Sequence, residues 1–359
     1  MKVATSIVLG IEATPALAAQ AVAQAMHKAE ITTANSVLLL LTSEFANDPQ
    51  AAIKAAAKAA SCTQVMGCSA TGIFTEEDWV LDTPAAAAMV FGDDVSLQLA
   101  KFNNTHQPLL TLTAPNAINS TWLNDGSARF GGVSGDANGQ GPFSVWKNGK
   151  GEVSGYVDAF FTHVKVATKA SHGLKILTKP KKINQTNEYD ITLMGNKAPM
   201  MALTKAWKTY SKSSEPVPLH LIMAIYAKNA DAINTGEFNQ TSVISFDDDG
   251  SITLAQPLKV GLYLSWGFRD KTVAEADLKL VSIALTDTLN TAPDFGLLIS
   301  CLGRGPYFYG GIDRDLNVLT QQFPDMPLLG FYGNGEIASI GGINQLLPYS
   351  AVLSLFAKN

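Results

Sequence analysis

The segment 295–301 reads FGLLISC, an apolar run that ends in small polar residues. The order of the segments that follow it decides the fold class. A helix is predicted at 313–323, where an aspartate begins an amphipathic stretch. PLLGFYGNG (327–335) follows, in which an apolar stretch leads into a glycine turn. A last apolar run occupies 351–356. This order predicts a strand, a helix, a second strand, a turn and a closing strand.

The N-terminal part of the chain repeats the same plan. SVLLLLTSEF (36–45) is followed by a predicted helix at 49–60, by QVMGCSATG (64–72) and by AAAAMVF (85–91). Both copies carry two glycines five residues apart, namely Gly67 with Gly72 and Gly330 with Gly335. The repeat predicts an internal duplication: two related α/β halves with mixed, largely antiparallel sheets flanked by helices.

We predict two domains, residues 1–170 and 171–359. A glycine, a proline and the start of a basic run coincide at 171–180, and such residues commonly interrupt regular structure. The chain of 359 residues is long enough for more than one domain.

Composition excludes several classes of protein. Charged residues make up 16% and hydrophobic residues 47% of the chain, which indicates a folded globule. A net charge of −5 disfavours nucleic acid as a partner. Glu12 interrupts the only N-terminal apolar run, so a strand and a helix are predicted there instead of a signal peptide. The sequence predicts no membrane span, since no apolar window reaches about 18 residues.

The cysteines and histidines predict no metal site. Three cysteines (Cys62, Cys68 and Cys301) form no zinc-binding spacing, and their odd number favours a reducing cytoplasm. The five histidines are scattered along the chain. A nucleophile elbow and a phosphate loop are also missing from the sequence.

Cys301 is the sharpest candidate for a site residue, because it ends a predicted strand and LGRG (302–305) follows it. Arg304 could hold a ligand carboxylate in a bidentate fork. It could also lower the pKa of Cys301 and make the thiol nucleophilic. Packing is the alternative role for Cys301. In the N-terminal copy we predict Ser43 at the equivalent position.

The passage GFYGNGEI (330–337) supplies the second group of candidates. Gly333, Asn334 and Gly335 can adopt positive φ, so the chain can turn sharply and direct backbone N–H groups inward. Glu336 is a lone acid in an apolar passage. It either binds the amino group of a ligand or pairs with an arginine in a tight hairpin. A similar glycine-rich passage, 130–141, contains Asp136.

At these residues the chain resembles the FIST family (F-box and intracellular signal transduction), in both its N-terminal and its C-terminal domain. The matching sequences are Thr42-Ser43, VMGCSATG (65–72), FGGVSGD (130–136), SFDDDGSITLAQPLKVGLYL (245–264), LLISCLGR (297–304), LLGFYGNGEI (328–337) and SAVLSLF (350–356). The resemblance covers nearly the whole chain, and the C-terminal Cys-x-x-Arg and Gly-Glu-Ile sequences are its most specific parts.

The resemblance implies a sensory module that binds a small molecule. Family members are inferred to sense ligands such as amino acids, and many are joined to kinase, cyclase or chemoreceptor output domains. Some are described as haem-binding gas sensors, for which His163 and His172 are the candidate ligands here. No output domain follows Asn359, so we expect a stand-alone module with a separate signalling partner.

We therefore predict a cytoplasmic protein of signal transduction that binds an amino acid or a similar metabolite between its two halves. The alternatives are a haem-binding gas sensor, a Cys301-dependent enzyme and a scaffold. The expected ligand-binding residues are Ser43, Cys301, Arg304, Gly333, Asn334 and Glu336.

Overall fold

A computed structural model describes residues 1–100, 107–135 and 145–359 of the chain. Asp136 and Phe143, which belong to the glycine-rich passage and to a predicted strand, lie outside these residues. The chain forms two compact units. Unit 1 comprises Met1–His172 and Asp277–Asn359, and unit 2 comprises Gly173–Ala276. The chain thus enters unit 2 two residues after the predicted domain boundary and returns to unit 1 at Asp277.

The first part of unit 1 contains thirteen strands and three helices in its described residues. In chain order they are β1 (Val3–Leu9), α1 (Pro15–Lys28), β2 (Ser36–Thr42), α2 (Pro49–Ala60), β3 (Val65–Ala70), β4 (Gly72–Thr75), β5 (Trp79–Leu81), β6 (Ala85–Phe91), β7 (Leu97–Leu99), β8 (Leu109–Thr113), α3 (Ser120–Leu123), β9 (Arg129–Val133), β10 (Val145–Lys147), β11 (Lys150–Gly151), β12 (Tyr156–Phe161) and β13 (Val164–Ser171). Short 3₁₀ turns occupy Ser43–Phe45 and Pro115–Ala117.

Unit 2 follows, and the chain then completes unit 1. The elements of unit 2 are β14 (Leu174–Ile176), β15 (Lys181–Asn187), β16 (Asp190–Met194), α4 (Pro199–Ser211), β17 (Ile222–Ala227), α5 (Ala230–Thr235), β18 (Asn239–Phe246), β19 (Ile252–Leu254) and β20 (Tyr263–Arg269). The remaining elements are α6 (Lys271–Leu289), β21 (Phe295–Cys301), α7 (Pro306–Tyr309), α8 (Arg314–Gln322), β22 (Leu328–Gly333), β23 (Glu336–Ile340), β24 (Ile343–Leu347) and β25 (Ala351–Lys358).

The three sheets of unit 1 share one hydrogen-bonding pattern. Their strand orders are β1-β6-β2-β3-β10-β11, β7-β12-β8-β9-β23-β24 and β13-β25-β21-β22-β4-β5. In each sheet the third and fourth strands are parallel, and the other neighbouring strands are antiparallel. The structure therefore confirms the mixed α/β class and the relation between the N-terminal and C-terminal segments.

This shared pattern also reveals a third copy of the repeat. Copy 1 consists of β1–β6, copy 2 of β7–β12, and copy 3 of β13 with β21–β25. Along the chain, the residues of unit 2 lie between β13 and β21, the first and second strands of copy 3. The sequence did not reveal copy 2 because α3 has only four residues, too few for a helical hydrophobic period.

Each copy contributes a β-hairpin to the sheet of another copy. The hairpin β10-β11 pairs with β3 of copy 1, β23-β24 pairs with β9 of copy 2, and β4-β5 pairs with β22 of copy 3. This exchange closes a ring of three sheets. It also covers a strand edge that would otherwise expose unpaired backbone groups.

Glycines at equivalent positions fix the register of the three parallel strand pairs. A Cβ atom added to any of them would lie far too close to a carbonyl oxygen of the neighbouring strand. The distances are 1.6 Å from Gly67 to Leu39, 1.9 Å from Gly131 to Thr111 and 2.1 Å from Gly330 to Leu298. The register thus aligns the three copies residue by residue.

The main core lies among the three sheets of unit 1. Leu38 of β2, Leu110 of β8 and Leu297 of β21 are buried there with aromatic residues such as Phe295 and Phe356, whose rings stack at 4.4 Å. The central cavity measures about 10 Å³, so the apolar centre is filled by side chains. On their other faces the sheets of copies 1 and 3 pack against helices, α1 and α2 in copy 1 and α6 and α8 in copy 3.

Unit 2 is built on a closed antiparallel sheet. The order β20-β15-β16-β19-β18-β17 returns to β20, and β14 adds a further strand beside β20. Trp266 and Ile183 are fully buried in its core, where Leu203 of α4 also packs. The sequence DDDG (247–250) predicts a hairpin turn, and the pairing of β18 with β19 confirms it.

Three local sequence patterns differ from the structure. The Asn-Gly pair at 148–149 predicts a type I′ turn, and both residues have positive φ, but the strand after them is only Lys150–Gly151. The sequence of 153–167 predicts one strand, whereas the structure has two strands that turn at His163. The apolar run 219–227 predicts a strand from Leu219, but the strand begins at Ile222, after a 3₁₀ turn.

Candidate functional site

Cys301 and Gly333 lie side by side at the ends of two parallel strands. Their Cα atoms are register partners in the β21–β22 pair. The backbone N–H of Cys301 donates to the carbonyl of Ser350 at 2.9 Å, and the N–H of Arg304 donates to the carbonyl of Cys301 at 2.7 Å. The predicted strand end at Cys301 is therefore confirmed, and it is tied to the start of β25.

The chain then crosses from the sheet of copy 3 to the sheet of copy 2. Asn334 N–H donates to the carbonyl of Val133 at 3.0 Å, and Val133 N–H donates to the carbonyl of Gly335 at 2.9 Å. Glu336 is the register partner of Gly132. Because β22 and β23 belong to different sheets, the tight-hairpin alternative is wrong. Only Gly335 of the predicted turn residues adopts a positive φ, at +140°.

Glu336 is fully buried and only half of its carboxyl group is satisfied. Oε2 accepts hydrogen bonds from the backbone N–H of Ser350 at 3.2 Å and from its hydroxyl at 2.8 Å. Oε1 has no hydrogen-bond partner within the described residues. Burial raises the pKa of Glu336 well above its usual range, although Ser350 and the charge of Arg304 act in the opposite direction. The protonated form is therefore favoured in the folded protein.

The equivalent positions in the other two copies are apolar. One register position of the three sheets is occupied by Cys68, Gly132 and Phe331. The hairpin strand beside it places Val145 opposite Cys68, Glu336 opposite Gly132 and Ile73 opposite Phe331. Ile73 and Val145 are buried members of the central core. Copy 3 therefore places a carboxyl group where its two relatives within the same chain place aliphatic side chains.

Ser350 is likewise polar at a position where the other two copies have no polar side chain. The register of the antiparallel pairs aligns it with Ala85 in copy 1 and with Gly155 in copy 2. Neither of those residues has a polar side chain. Glu336 and its hydrogen-bond donor are thus both specific to copy 3.

The same register corrects the predicted equivalence of Cys301 and Ser43. Cys301 aligns with Thr42, whose hydroxyl accepts a hydrogen bond from Ala85 N–H at 2.9 Å. Ser43 begins the 3₁₀ turn one residue later, where its carbonyl accepts from Ala46 N–H. The structure thus brings five predicted residues together at one end of copy 3 and places Ser43 in copy 1.

Two further polar groups near this end are buried without a hydrogen-bond partner in the described part of the chain. They are the hydroxyl of Ser134 and the side-chain nitrogen Nδ2 of Asn334. Ser134 is fully buried, and it follows directly on Val133, to which Asn334 is bonded. Buried polar groups in folded proteins are nearly always paired, either with other protein groups or with ordered water.

The guanidinium of Arg304 is already bound to a carboxylate of the protein itself. Nε donates to Asp315 Oδ2 at 2.7 Å, Nη2 donates to Asp315 Oδ1 at 3.1 Å, and Nη1 donates to the carbonyl of Ser171 at 2.6 Å. The hydroxyl of Tyr309 also donates to Asp315, at 2.8 Å. Arg304 and Asp315 are both buried to 1% exposure, so they form an internal ion pair.

A second buried acid lies beside this pair. Asp313 caps α8 by accepting from Leu316 N–H at 2.9 Å, and its other oxygen accepts from the hydroxyl of Tyr332. Burial, and to a lesser degree the charge of Asp315, raises the pKa of Asp313 to about 6. Sequence reasoning identified the acidic helix start but not the roles of Asp313, Asp315 and Ser350.

The haem alternative finds little support in the surroundings of its two candidate ligands. His163 is exposed, and its Nδ1 lies 2.7 Å from the carbonyl oxygen of Asp94. His172 is half-buried and follows Ser171, whose carbonyl binds Arg304. The exposed ring of His163 does not match the enclosed pocket that a haem requires.

The described residues contain no group of three or more histidine, cysteine, aspartate or glutamate side chains arranged to hold a metal ion. Within the same residues, every helix is too short or too polar to cross a lipid bilayer.

The fold is that of a mixed α/β protein, and two family models match its sequence. The FIST N domain matches residues 36–194, and the FIST C domain matches residues 205–339. Together the two matches cover most of the chain, and the chain belongs to the FIST family, which is associated with sensing in signal transduction.

Individual relatives are distant. An uncharacterized protein of Mycobacterium tuberculosis is 24% identical over 377 residues, which cover 97% of this chain and 98% of the relative. An uncharacterized protein of Mycobacterium bovis is 25% identical over 237 residues, 65% of this chain and 61% of that protein. The chain thus spans about three fifths of the second relative. Human F-box only protein 22 is 37% identical over 71 residues, 19% of this chain and 16% of that protein.

Proposed function

We propose that this protein is a cytoplasmic sensory module that binds a small molecule, an amino acid or a similar metabolite, at the copy 3 strand end. The ligand would contact residues of both predicted halves, because Ser134 lies in the first and Glu336 in the second. A separate output protein would read the liganded state. Membership of the FIST family supports the sensory role, and the strand-end groups support the binding role.

The observation that carries the proposal is the buried carboxyl of Glu336. An unpaired polar oxygen inside a protein destabilises the fold by about 1–3 kcal/mol. Copies 1 and 2 avoid this cost with Ile73 and Val145 in the same fold, so the architecture does not require an acid here. A functional site is expected to keep a polar side chain that destabilises the fold, even where an aliphatic side chain would be compatible with it.

The polar groups present suit a ligand that carries both donors and acceptors. Oε1 of Glu336 faces the donor of a ligand, while Asn334 Nδ2 and the hydroxyl of Ser134 can donate to a ligand acceptor. An amino acid provides both kinds of group on a small frame. Cys301 contributes a buried side chain, 8% exposed, which favours a lining role over that of a nucleophile.

The test restores the apolar arrangement of copy 1 in copy 3. The double substitution Glu336→Ile with Ser350→Ala recreates the residues Ile73 and Ala85 of copy 1. We expect this variant to be at least as stable as the wild type and to lose stabilisation by amino acids in a thermal-shift screen. For the wild type, a ligand at a hundred times its Kd should stabilise the fold by about 2.7 kcal/mol.

Two controls accompany the double variant. Ile73→Val changes the equivalent position of copy 1 and should keep the ligand response. Glu336→Gln keeps the side-chain shape and should weaken the response without unfolding the protein. The proposal is wrong if amino acids and related metabolites leave the wild type unaffected, or if the double variant responds as the wild type does.

A further inference from the structure

We propose that this site selects a primary ammonium group, which binds Glu336 Oε1 and displaces the proton of that carboxyl into solvent. The inference rests on the proposed function and narrows it to one ligand class, organic amines. A ligand carboxylate would then be a secondary feature.

The geometry around Glu336 leaves one oxygen for the ligand. Ser350 holds Oε2 with two hydrogen bonds, which fixes the carboxyl group in one orientation. Oε1 remains unpaired within the described residues. An ammonium group carries three N–H donors. It can therefore bind Oε1 with one donor and keep two donors for other acceptors.

The guanidinium of Arg304 offers no site for a ligand anion. Arg304 is the cationic group whose charge bears on Glu336, and its fork is filled by Asp315. A ligand carboxylate would have to displace Asp315 to reach the guanidinium, which would leave a buried charge unpaired. A ligand ammonium ion instead binds the carboxyl group of Glu336, which becomes negatively charged when it loses its proton.

Two titratable side chains lie near this strand end. Arg304 acts from the turn after β21, and the thiol of Cys301 lies at the strand end joined to Ser350. The register partners of Glu336 on the two adjacent strands are Gly132 and Leu347, which do not titrate. We assign the proton released on binding to Glu336, whose oxygen accepts from the ligand.

The exchange balances in charge and atoms. In the free protein burial raises the pKa of Glu336, which favours the protonated carboxyl. When the ammonium binds, the carboxyl O–H bond breaks, the proton passes to solvent, and a ligand N–H donates to the resulting carboxylate. The site gains one positive charge and loses one, so its net charge does not change.

A matched set of probes tests this inference with the full chain. Alanine, alaninamide and ethylamine each carry the amino group, whereas propionate carries only the carboxylate. We expect the three amines to raise Tm and propionate to have no effect. Titration calorimetry of the amines in phosphate and in Tris buffer should show proton release on binding, and affinity should rise with pH.

Glu336→Gln should abolish both the proton release and the pH dependence. The outcomes separate the two claims. If propionate binds as well as ethylamine, or if amines bind without releasing a proton, the inference is overturned while ligand binding stands. If neither these probes nor the wider metabolite screen stabilises the wild type, the proposed function itself is overturned.

Discussion

At the scale of single residues, the three copies act as internal controls for one another. Glu336 and Ser350 are polar where their equivalents Ile73 and Ala85 are apolar, although the strands around them have the same pairing. The fold therefore accepts an aliphatic side chain at this position and does not require the carboxyl group of Glu336. Comparison between the copies singles out these two residues without any other sequence.

The buried pair of Arg304 and Asp315 should matter strongly for stability. Asp315→Asn leaves the guanidinium buried without its counter-charge, and we expect a loss of about 3–5 kcal/mol in the free energy of unfolding. Urea denaturation measures it. The matched control is Glu77→Gln, which breaks the exposed 2.7 Å pair with Lys28 and should cost under about 1 kcal/mol. Equal costs for the two variants would contradict the structural role of Arg304.

At the scale of elements, the sequence predicted strands and helices well wherever the hydrophobic pattern was long. The apolar runs at β2 and β21 are buried along their whole length, as expected for central strands. The pattern failed where elements were very short, as with the two-residue strand β11. Short elements carry too few residues for a period, and contacts with neighbouring strands decide their conformation.

The equivalent glycines lead to a prediction about strand pairing. Gly67→Ala would place a Cβ atom 1.6 Å from the carbonyl oxygen of Leu39, so β2 and β3 would have to separate. We expect a loss of soluble protein or a cost of more than about 3 kcal/mol. Circular dichroism melting measures it.

Gly151→Ala is the control for that substitution, because its added Cβ meets nothing within 4 Å and the residue is also in a strand. Its Tm should stay close to that of the wild type. A Gly67→Ala protein that melts together with Gly151→Ala would disprove the close approach of the strands.

At the scale of the whole molecule, Asp313 links stability to pH. Its pKa is about 6 in the folded protein and 3.8 for an ordinary aspartate. Between pH 4 and 6 the folded chain therefore holds more of this proton than the unfolded chain, and the free energy of unfolding falls as pH rises. The full effect amounts to about 3 kcal/mol.

Asp313→Asn should remove this dependence, since an amide oxygen can still accept from Leu316 N–H and no longer ionises. Urea denaturation at several pH values between 4 and 6.5 measures the slope for both proteins. Asp125 and Asp270 have lowered pKa values, so their contributions are lost only below about pH 4. Parallel slopes for wild type and variant would show that Asp313 does not titrate in this range.

The whole-molecule architecture was only partly readable from the sequence. The duplication was visible because copies 1 and 3 both have long helices between their parallel strands. The exchange of hairpins was not visible, because it depends on pairings between distant residues such as Glu336 with Gly132. The partner of Arg304 was likewise missed: its guanidinium donates two hydrogen bonds to Asp315 and one to Ser171, and local pattern does not report side-chain pairing.

The sequence by itself determined the α/β class, the repeated strand–helix plan, the family and the neighbourhood of Cys301 and Glu336. Hydrophobic period and turn residues are local properties, and a single chain displays them directly. Only the tertiary structure decided that there are three copies, that Thr42 and not Ser43 matches Cys301, and that Glu336 keeps one oxygen unpaired. Those facts depend on strand register and burial, which are set by contacts between residues far apart in the chain.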